Sequence, residues 1–467
     1  MPRAFSKSSE SVSNAATVRI TISGRCFNII VYSRMHEYRA MKRVSRRLLS
    51  SIRESPAQGC RSLSTREIIE RDEKHGGHHF KTLPVVLERG EGVYCWDKEG
   101  KRYIDMLAGF ATMSQGHSHP RIVAAMRDQV GKLAHTSRAF YSEHQGALGE
   151  YLSKLTGYDR FLPMNTGVEA GDTALKISRR FGYRIKKIPS NQAVTIFAKG
   201  NYWGRSLAAV SASTDPNSYT DFGPFMPLFE SVPYDDLHAL EQKFKENPNI
   251  CAFMVEPIQG EAGVNVPSNG YLKGVRELCT KYNVLWIADE VQTGLGRTGK
   301  RFAVDHEGVK PDLLVLGKAL SGGMYPVSGV LGMDKIILAL ETGVHGSTFG
   351  GSPLGQRVAL EAMKVLEEEK LADNAAKMGE IVRTELEKIP KDIALEFRGR
   401  GLLAGLKLNP DFANGWDICA KLIKQGLLTR PAHNYIIRIS PPLCINEEQI
   451  RTALDIITKT LLTHKKN

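Results

Sequence analysis

Four short apolar runs mark the middle of the chain: VTIFA (194–198), CAFMVEP (251–257), VLWIADE (284–290) and DLLVLG (312–317). Helical stretches separate them. Nearly continuous apolar runs of this length predict strands buried on both faces, and their alternation with helices predicts a parallel sheet with helices on either side. Ligands of such sheets sit at the carboxyl ends of the strands. After about residue 370 the pattern changes. LADNAAKMGEIVRTELEKI predicts an amphipathic helix, while GLLAGLKL and IIRISPPL predict shorter strands of a second, smaller α+β domain. VYCWDKEGKRYIDML (93–107) predicts a hairpin turning at Lys98–Gly100 that joins this small domain. There is no internal repeat and no low-complexity tract after residue 65.

Length and charge refine this picture. The 467 residues are enough for two to four compact units and a large core. No apolar run approaches the roughly 18–20 residues that cross a bilayer, so no stable membrane insertion is expected. The net charge is +13, but residues 1–62, with twelve Lys and Arg against three Glu, carry +9 of it. The body is only mildly basic, which removes the main support for a nucleic-acid partner. That first segment is rich in Arg and Ser and poor in acids, the composition of an organellar transit peptide. From Met41, MKRVSRRLLSSIRES places Val44, Leu48, Leu49 and Ile52 near one helical face among arginines, a pattern suited to lying along an anionic membrane surface. The mitochondrial matrix is the expected destination. The expected division is a transit peptide over 1–62, disordered or removed; a segment joining the small domain over 63–110; a large domain over 111–368; and the small domain over 369–467. Seven widely spaced cysteines with no C-x-x-C indicate neither a disulfide framework nor a metal site.

Candidate chemistry begins with Asp289 and Lys318, each at the end of a buried apolar run. A carboxylate there needs a partner. Desolvation would lower the lysine pKa and make the amine a usable nucleophile. Taken alone, the two residues read first as a buried structural ion pair. A third element changes the balance. NTGVEAGDTALKISRR (165–180) is a glycine-containing loop running into a helix, where backbone N–H groups and the helix dipole favour an anion. Glu169 and Asp172 are equally well read as first-turn acids. Amine, strand-end carboxylate and phosphate cradle together describe a site for pyridoxal phosphate.

Longer motifs carry a family resemblance: TSRAFY (136–141), PMNTGVEAGDTA (163–174), STDPNSYTDFGPFMP (213–227), VEPIQGEAGV (255–264), IADEVQTGLGRTG (287–299), LGKALSGGMYPVS (316–328) and HGSTFGG (345–351). Over about residues 68–465 the chain resembles the class III, fold-type I pyridoxal-phosphate aminotransferases, and within them the enzymes acting on ornithine. The resemblance implies an α/β fold with a mainly parallel sheet flanked by helices, a smaller α+β domain, and a homodimer with shared active sites. It implies that Lys318 carries the cofactor aldehyde and moves the substrate proton. Asp289 would pair with the ring nitrogen, Gln292 approach the ring hydroxyl, and Tyr202 stack on the ring. Gly167 and Val168 would give amides to the phosphate. Thr348, beside Ser347, would reach it from the neighbouring subunit; Ser347 and Gln292 are also readable as simple bridges between strands.

Further implications concern the substrates. Arg438 matches the family's arginine for the α-carboxylate, and Arg205 the arginine particular to the ornithine enzymes; guanidinium offers the bidentate fork a carboxylate needs. Glu261 matches a glutamate that pairs with Arg438 while ornithine is bound. The implied reaction moves the δ-amino group of ornithine to α-ketoglutarate. At Phe80 and Phe110 the ornithine enzymes carry tyrosines near the substrate tail. Loss of two hydroxyls removes hydrogen bonds worth about 0.5–1.5 kcal/mol each and opens room for N-acetylornithine or γ-aminobutyrate as donors. A decarboxylase on the same fold is a rival that the Glu261–Arg438 pairing disfavours, since amino transfer needs a switchable keto-acid site.

Overall fold

The computed structural model describes residues 15–22, 25–32 and 63–464. The basic helix expected from Met41 lies outside the described residues. Two units meet in sequence between Gly77 and His78. In the first, Ala15–Ile22 and Arg25–Tyr32 pair as an antiparallel hairpin with Ala15 opposite Tyr32. Both runs lie in the segment expected to be a leader, and their β-branched residues suit a strand. Thr65–His75 is a helix closed by a capping box, in which Ser64 N donates to Glu67 Oε2 at 2.8 Å and Glu67 N to Ser64 Oγ at 3.3 Å.

The second unit contains a seven-stranded sheet. Its strands are β1 (Arg160–Met164), β2 (Val194–Ala198), β3 (Phe229–Val232), β4 (Ile250–Val255), β5 (Leu285–Asp289), β6 (Leu313–Leu316) and β7 (Ser328–Gly332). The order across the sheet is β1-β7-β6-β5-β4-β2-β3. Only β7 runs antiparallel to its neighbours. The apolar runs of the sequence are β2, β4, β5 and β6, all completely buried. Alternate residues pack into two different cores. Phe253, Trp286, Ala288, Leu314 and Leu316 enter one, while Ala252, Met254, Ile287, Leu313 and Val315 enter the other. Both faces of the sheet are therefore apolar, which is why these strands read as continuous rather than alternating. A fully buried large apolar side chain contributes about 1.5–3 kcal/mol, so this layer anchors whatever its strand ends carry.

Two smaller sheets complete the unit. Ala394–Arg400, Leu403–Leu408, Ile436–Ile439 and Pro431–Ala432 form one, all antiparallel. Leu87–Glu91, Tyr94–Asp97 and Arg102–Asp105 form the other, to which Leu427–Leu428 adds in parallel. The hairpin expected at 93–107 is present, and Leu427–Leu428 ties it to C-terminal residues. Its turn is held by Asp97 Oδ1, which accepts from Glu99 N at 3.1 Å and Lys101 N at 2.8 Å, with Gly100 at φ +84°. No helix among the described residues is long and apolar enough to cross a membrane.

Candidate active site

Register brings three charged residues to neighbouring strand ends. Val255 pairs with Ala288 and Asp289 with Val315. Glu256, one residue past β4, thus lies beside Asp289 at the end of β5, and Lys318 follows two residues after β6. Asp289 is buried, and its Oδ1 accepts from Val291 N at 3.1 Å. Burial raises its carboxyl to about 6 against the opposing pull of that N–H and of the Lys318 charge. Lys318 opens a short 3-10 turn, Lys318–Ser321, in a left-handed conformation with φ +40°. A non-glycine residue in that region is strained, and such strain persists where the surroundings over-determine it. Burial lowers the Lys318 amine, while Glu261 and Asp289 push it back up. Lys318 and Asp289 nevertheless make no ion pair, since Lys318 has none among the described residues. The reading of a structural Lys–Asp pair does not hold.

Glu256 is a site residue that the sequence reading passed over. It ends the apolar run of β4 as Asp289 ends β5, so the same signal would have found it. Its Oε1 accepts from Tyr202 N at 2.9 Å and its Oε2 from Gly260 N at 3.3 Å. Burial, then the Asp289 charge, pushes its carboxyl well above the usual range, and the two hydrogen bonds it accepts tie two loops together.

The helix Gly167–Arg184 begins directly after β1. Thr166 caps it and Glu169 closes the capping box, with Thr166 N donating to Glu169 Oε2 at 2.8 Å. Glu169 is thus a first-turn acid, one of the two readings its position allowed. The amides of Gly167 and Val168 are first-turn groups without intrahelical partners and face the helix N-terminus. Gly204 lets the GNYWGR loop approach them: at φ +141°, a Cβ there would lie 2.4 Å from Val168 Cβ. Tyr202 is half-buried on that loop, and the exposed Arg205 guanidinium stands 5.5 Å over its ring. Ser347 Oγ accepts from Asn165 Nδ2 at 2.7 Å, next to the same loop. Thr348 is exposed.

At the other side of the strand ends, Glu261 grips Arg438 with both oxygens: Nη1–Oε1 is 2.7 Å and Nη2–Oε2 2.5 Å. Arg438, in Ile436–Ile439, is buried. The guanidinium holds Glu261 down to about 2, outweighing burial. Gln292 Nε2 donates to Glu261 Oε1 at 3.3 Å, whereas Gln292 Oε1 is buried without a partner. Phe110 stands 5.4 Å from the Arg438 guanidinium and edge-to-face with Phe80 at 6.1 Å. It is displayed by a left-handed run, with φ of 48° at Ala108, 56° at Gly109, 59° at Phe110 and 69° at Ala111. Asp105 Oδ1 supports that run by accepting from Leu107 N and Ala108 N. Elsewhere, Cys95, Asp105 and His117 place possible metal-donor atoms within 4.8 Å of one another. His117 Nε2 there contacts Asp105 at 2.7 Å and Cys95 at 3.3 Å. None of the three belongs to the expected site set.

The donor set fits pyridoxal phosphate. Among the described residues, Lys318 offers an amine free of ion pairs, Asp289 a buried carboxylate with only one oxygen bonded, and Gln292 an orphaned buried acceptor for a ring hydroxyl. The first-turn amides of Gly167 and Val168 offer the phosphate cradle.

Comparison with known proteins agrees with this chemistry. The aminotransferase class-III family model matches residues 76–461. A mitochondrial ornithine aminotransferase of Drosophila melanogaster is 60% identical over 396 residues, 85% of this chain and 91% of that one. The ornithine aminotransferase of Toxoplasma gondii superposes with a TM-score of 0.84 at 45% identity, covering 86% of this chain and 96% of its own. An acetylornithine aminotransferase from Elizabethkingia anophelis reaches a TM-score of 0.79 at 46% identity, covering 86% and 100%.

Proposed function

The chain belongs to the class-III aminotransferases, and from that membership and the site geometry we propose that it is an ornithine δ-aminotransferase. Its substrates are L-ornithine and α-ketoglutarate, and its products are glutamate and glutamate γ-semialdehyde, which cyclises to pyrroline-5-carboxylate. The cofactor is pyridoxal phosphate. When bound, it supplies an aldehyde for the amino group and a ring that takes up electron density.

The protein's own residues supply the rest. Lys318 Nζ would hold the cofactor aldehyde and serve as the amine that moves the proton at the reacting carbon. Asp289 would pair with the ring nitrogen and favour its protonated form. Tyr202, placed by the hydrogen bond from its N–H to Glu256, would stack on the ring. Gln292 would meet the ring hydroxyl; Gly167 and Val168 would hold the phosphate, with Thr348, beside Ser347, reaching it from the neighbouring subunit.

The observation that carries the substrate assignment is the two-point Glu261–Arg438 pair. While Arg438 is neutralised, an amino acid cannot dock its α-carboxylate there. Ornithine then enters terminal amine first, with its carboxylate toward Arg205. When glutamate or α-ketoglutarate arrives, Glu261 releases Arg438, which takes the α-carboxylate. One site so processes a terminal and an α-amine in alternate halves of a ping-pong cycle. A second reading, N-acetylornithine as donor, is favoured by the absent hydroxyls at Phe80 and Phe110. A half-reaction screen decides. The loaded enzyme is mixed separately with ornithine, N-acetylornithine and γ-aminobutyrate while the cofactor absorbance is followed. Ornithine should convert it fastest; faster conversion by N-acetylornithine overturns the assignment.

A homodimer is part of the same reading. Phe140, Tyr141, Phe222, Phe225 and Phe349 are large apolar side chains left exposed, in three of the family motifs. A homodimer interface would cover large apolar side chains of this kind. Thr348 in the partner subunit would complete the phosphate site. The division at 110/111 and 368/369 into a large and a small domain belongs to this proposal too. The protein is mitochondrial, as its Drosophila melanogaster relative is named, and we assign it to the matrix.

A further inference from the structure

Among the described residues, one guanidinium beside the site has no anion. Arg430 precedes the short strand Pro431–Ala432, and its carbonyl accepts from Arg438 N at 3.4 Å. Its guanidinium carbon lies 4.4 Å from the Phe80 ring centroid, 5.1 Å from Trp416 and 5.5 Å from Phe110. Lys81 Nζ stands 4.1 Å over Trp416. Among the described residues Arg430 makes no ion pair and no side-chain hydrogen bond. The carboxylate nearest in electrostatic effect, Glu261, has both oxygens on Arg438.

Packing alone leaves this arrangement half explained. Aromatic rings attract the flat face of a guanidinium. The N–H donors lie in the plane of the group, at its edge, and stacking does not use them. Arginine stays charged in a protein, so a half-buried guanidinium near a second one calls for an anion. Three rings within 5.5 Å of the guanidinium carbon restrict the fork, which lowers the entropy lost when a carboxylate docks. Phe110 lies within 5.5 Å of both Arg430 and Arg438. Arg430 therefore borders the space that a substrate tail occupies when Arg438 is blocked. Phe80 and Phe110 bring no hydroxyl donor of their own.

We propose that Arg430, clamped by Phe80, Phe110 and Trp416 beside the Glu261–Arg438 pair, is a specificity-determining residue that receives the carboxylate of the amino donor. The inference rests on the reading that the donor is ornithine, and it assigns ornithine's carboxylate a second guanidinium besides Arg205. The test uses the loaded enzyme and its Arg430→Gln and Arg430→Lys variants. Three quantities are read: half-saturation by ornithine, half-saturation by glutamate, and inhibition of the ornithine half-reaction by 1,4-diaminobutane, which has the same amine and no carboxylate. In Arg430→Gln, half-saturation by ornithine should rise about ten- to hundred-fold at nearly the same limiting rate, the size of a charged hydrogen bond. Glutamate should shift far less, and the inhibition constant of 1,4-diaminobutane should stay put. Arg430→Lys, which keeps the charge without the fork, should fall between. The assignment is overturned if 1,4-diaminobutane weakens in parallel with ornithine, because Arg430 then only props the cage. An equal loss for glutamate, or no change with ornithine, overturns it as well. Failure of the parent enzyme to convert ornithine is a separate result that refutes the functional reading instead.

Discussion

Glu261 and Arg438 meet through both oxygens and both terminal nitrogens, at 2.7 and 2.5 Å, across 177 residues of sequence. A bidentate charged contact of this kind is worth about 1.5–3 kcal/mol, and breaking it from one side leaves a buried charge. Glu261→Ala should free Arg438 permanently, so amino acids bind α-carboxylate first. The glutamate half-reaction should then gain on the ornithine one by roughly ten- to hundred-fold. Arg205→Ala should cripple the ornithine half-reaction most. Pre-steady-state conversion with each amino acid separately measures both. Equal slowing of the two halves by Glu261→Ala would make Glu261 merely structural. Because Arg438 holds the Glu261 carboxyl at about 2, well under its ordinary value, the pair's stabilisation is complete above about pH 4.5 and fades only as pH falls toward 2. The gate should therefore not respond to pH between 6 and 9.

Asp289 behaves oppositely. Its carboxyl is raised to about 6 by burial. The folded, unloaded protein thus binds that proton more tightly than the unfolded chain, and its stability should drop as pH rises from about 4 through 6. Cofactor affinity should climb over the same interval, since the ring nitrogen needs the ionised form. Asp289→Asn should bind weakly and without this pH dependence. Fluorescence titration of the unloaded protein with pyridoxal phosphate from pH 5 to 8 measures it; a flat profile for the unsubstituted protein contradicts the argument.

How much of this was legible in the sequence follows from what each residue does. Strands β2, β4, β5 and β6 were readable because both faces are buried, so every position had to be apolar. β1, β3 and β7 were not: RFLPM and SGVLG carry Pro or Gly, and FESV is only half-buried. Asp289 and Lys318 stood out as charges ending apolar runs. Glu256 ended one too, yet no cofactor contact drew attention to it. The left-handed run at Ala108–Ala111 left almost no trace, since of its four residues only Gly109 favours that conformation. Its support comes from Asp105, and nothing local marks that carboxylate as a brace. Arg430 was invisible for a different reason. Its cage is assembled from Phe80, Phe110 and Trp416, three residues far apart in the chain.

Gly204→Ala tests the phosphate loop. The added Cβ would fall 2.4 Å from Val168 Cβ at a backbone φ of +141°. Strain and overpacking of this sort cost about 1–3 kcal/mol. The expected result is weaker cofactor binding with a small loss of melting temperature. Unchanged affinity would mean that the GNYWGR loop does not set the position of Val168.

The leader can be tested apart from the enzyme. Residues 1 to about 60, which carry most of the basic excess, should send a fluorescent reporter to mitochondria and be missing from the mature protein. A cytosolic reporter, or an intact amino terminus on protein purified from its source, contradicts this.

Lys318 carries the sharpest test, because it combines a left-handed backbone, a lowered amine pKa and no ion pair among the described residues. Removing the side chain relieves nothing else in the strand, since β6 ends at Leu316 and Ala319 and Leu320 remain to fill the core. Lys318→Ala should therefore fold, keep its thermal transition within a few degrees, and still retain pyridoxal phosphate through the phosphate loop and Asp289. Turnover should fall below detection, because neither the aldehyde nor the migrating proton has another amine to use. Borohydride reduction of the loaded parent enzyme, followed by peptide mapping, should fix the cofactor to Lys318. Lys176 and Lys199 are the informative alternatives, since both lie near the phosphate loop in sequence or on the GNYWGR side. Lys176 is already engaged, with its Nζ 2.9 Å from His345 Nδ1. A label on either of them, or residual turnover in Lys318→Ala, would move the reacting amine away from the end of β6 and undo the roles given to its neighbours.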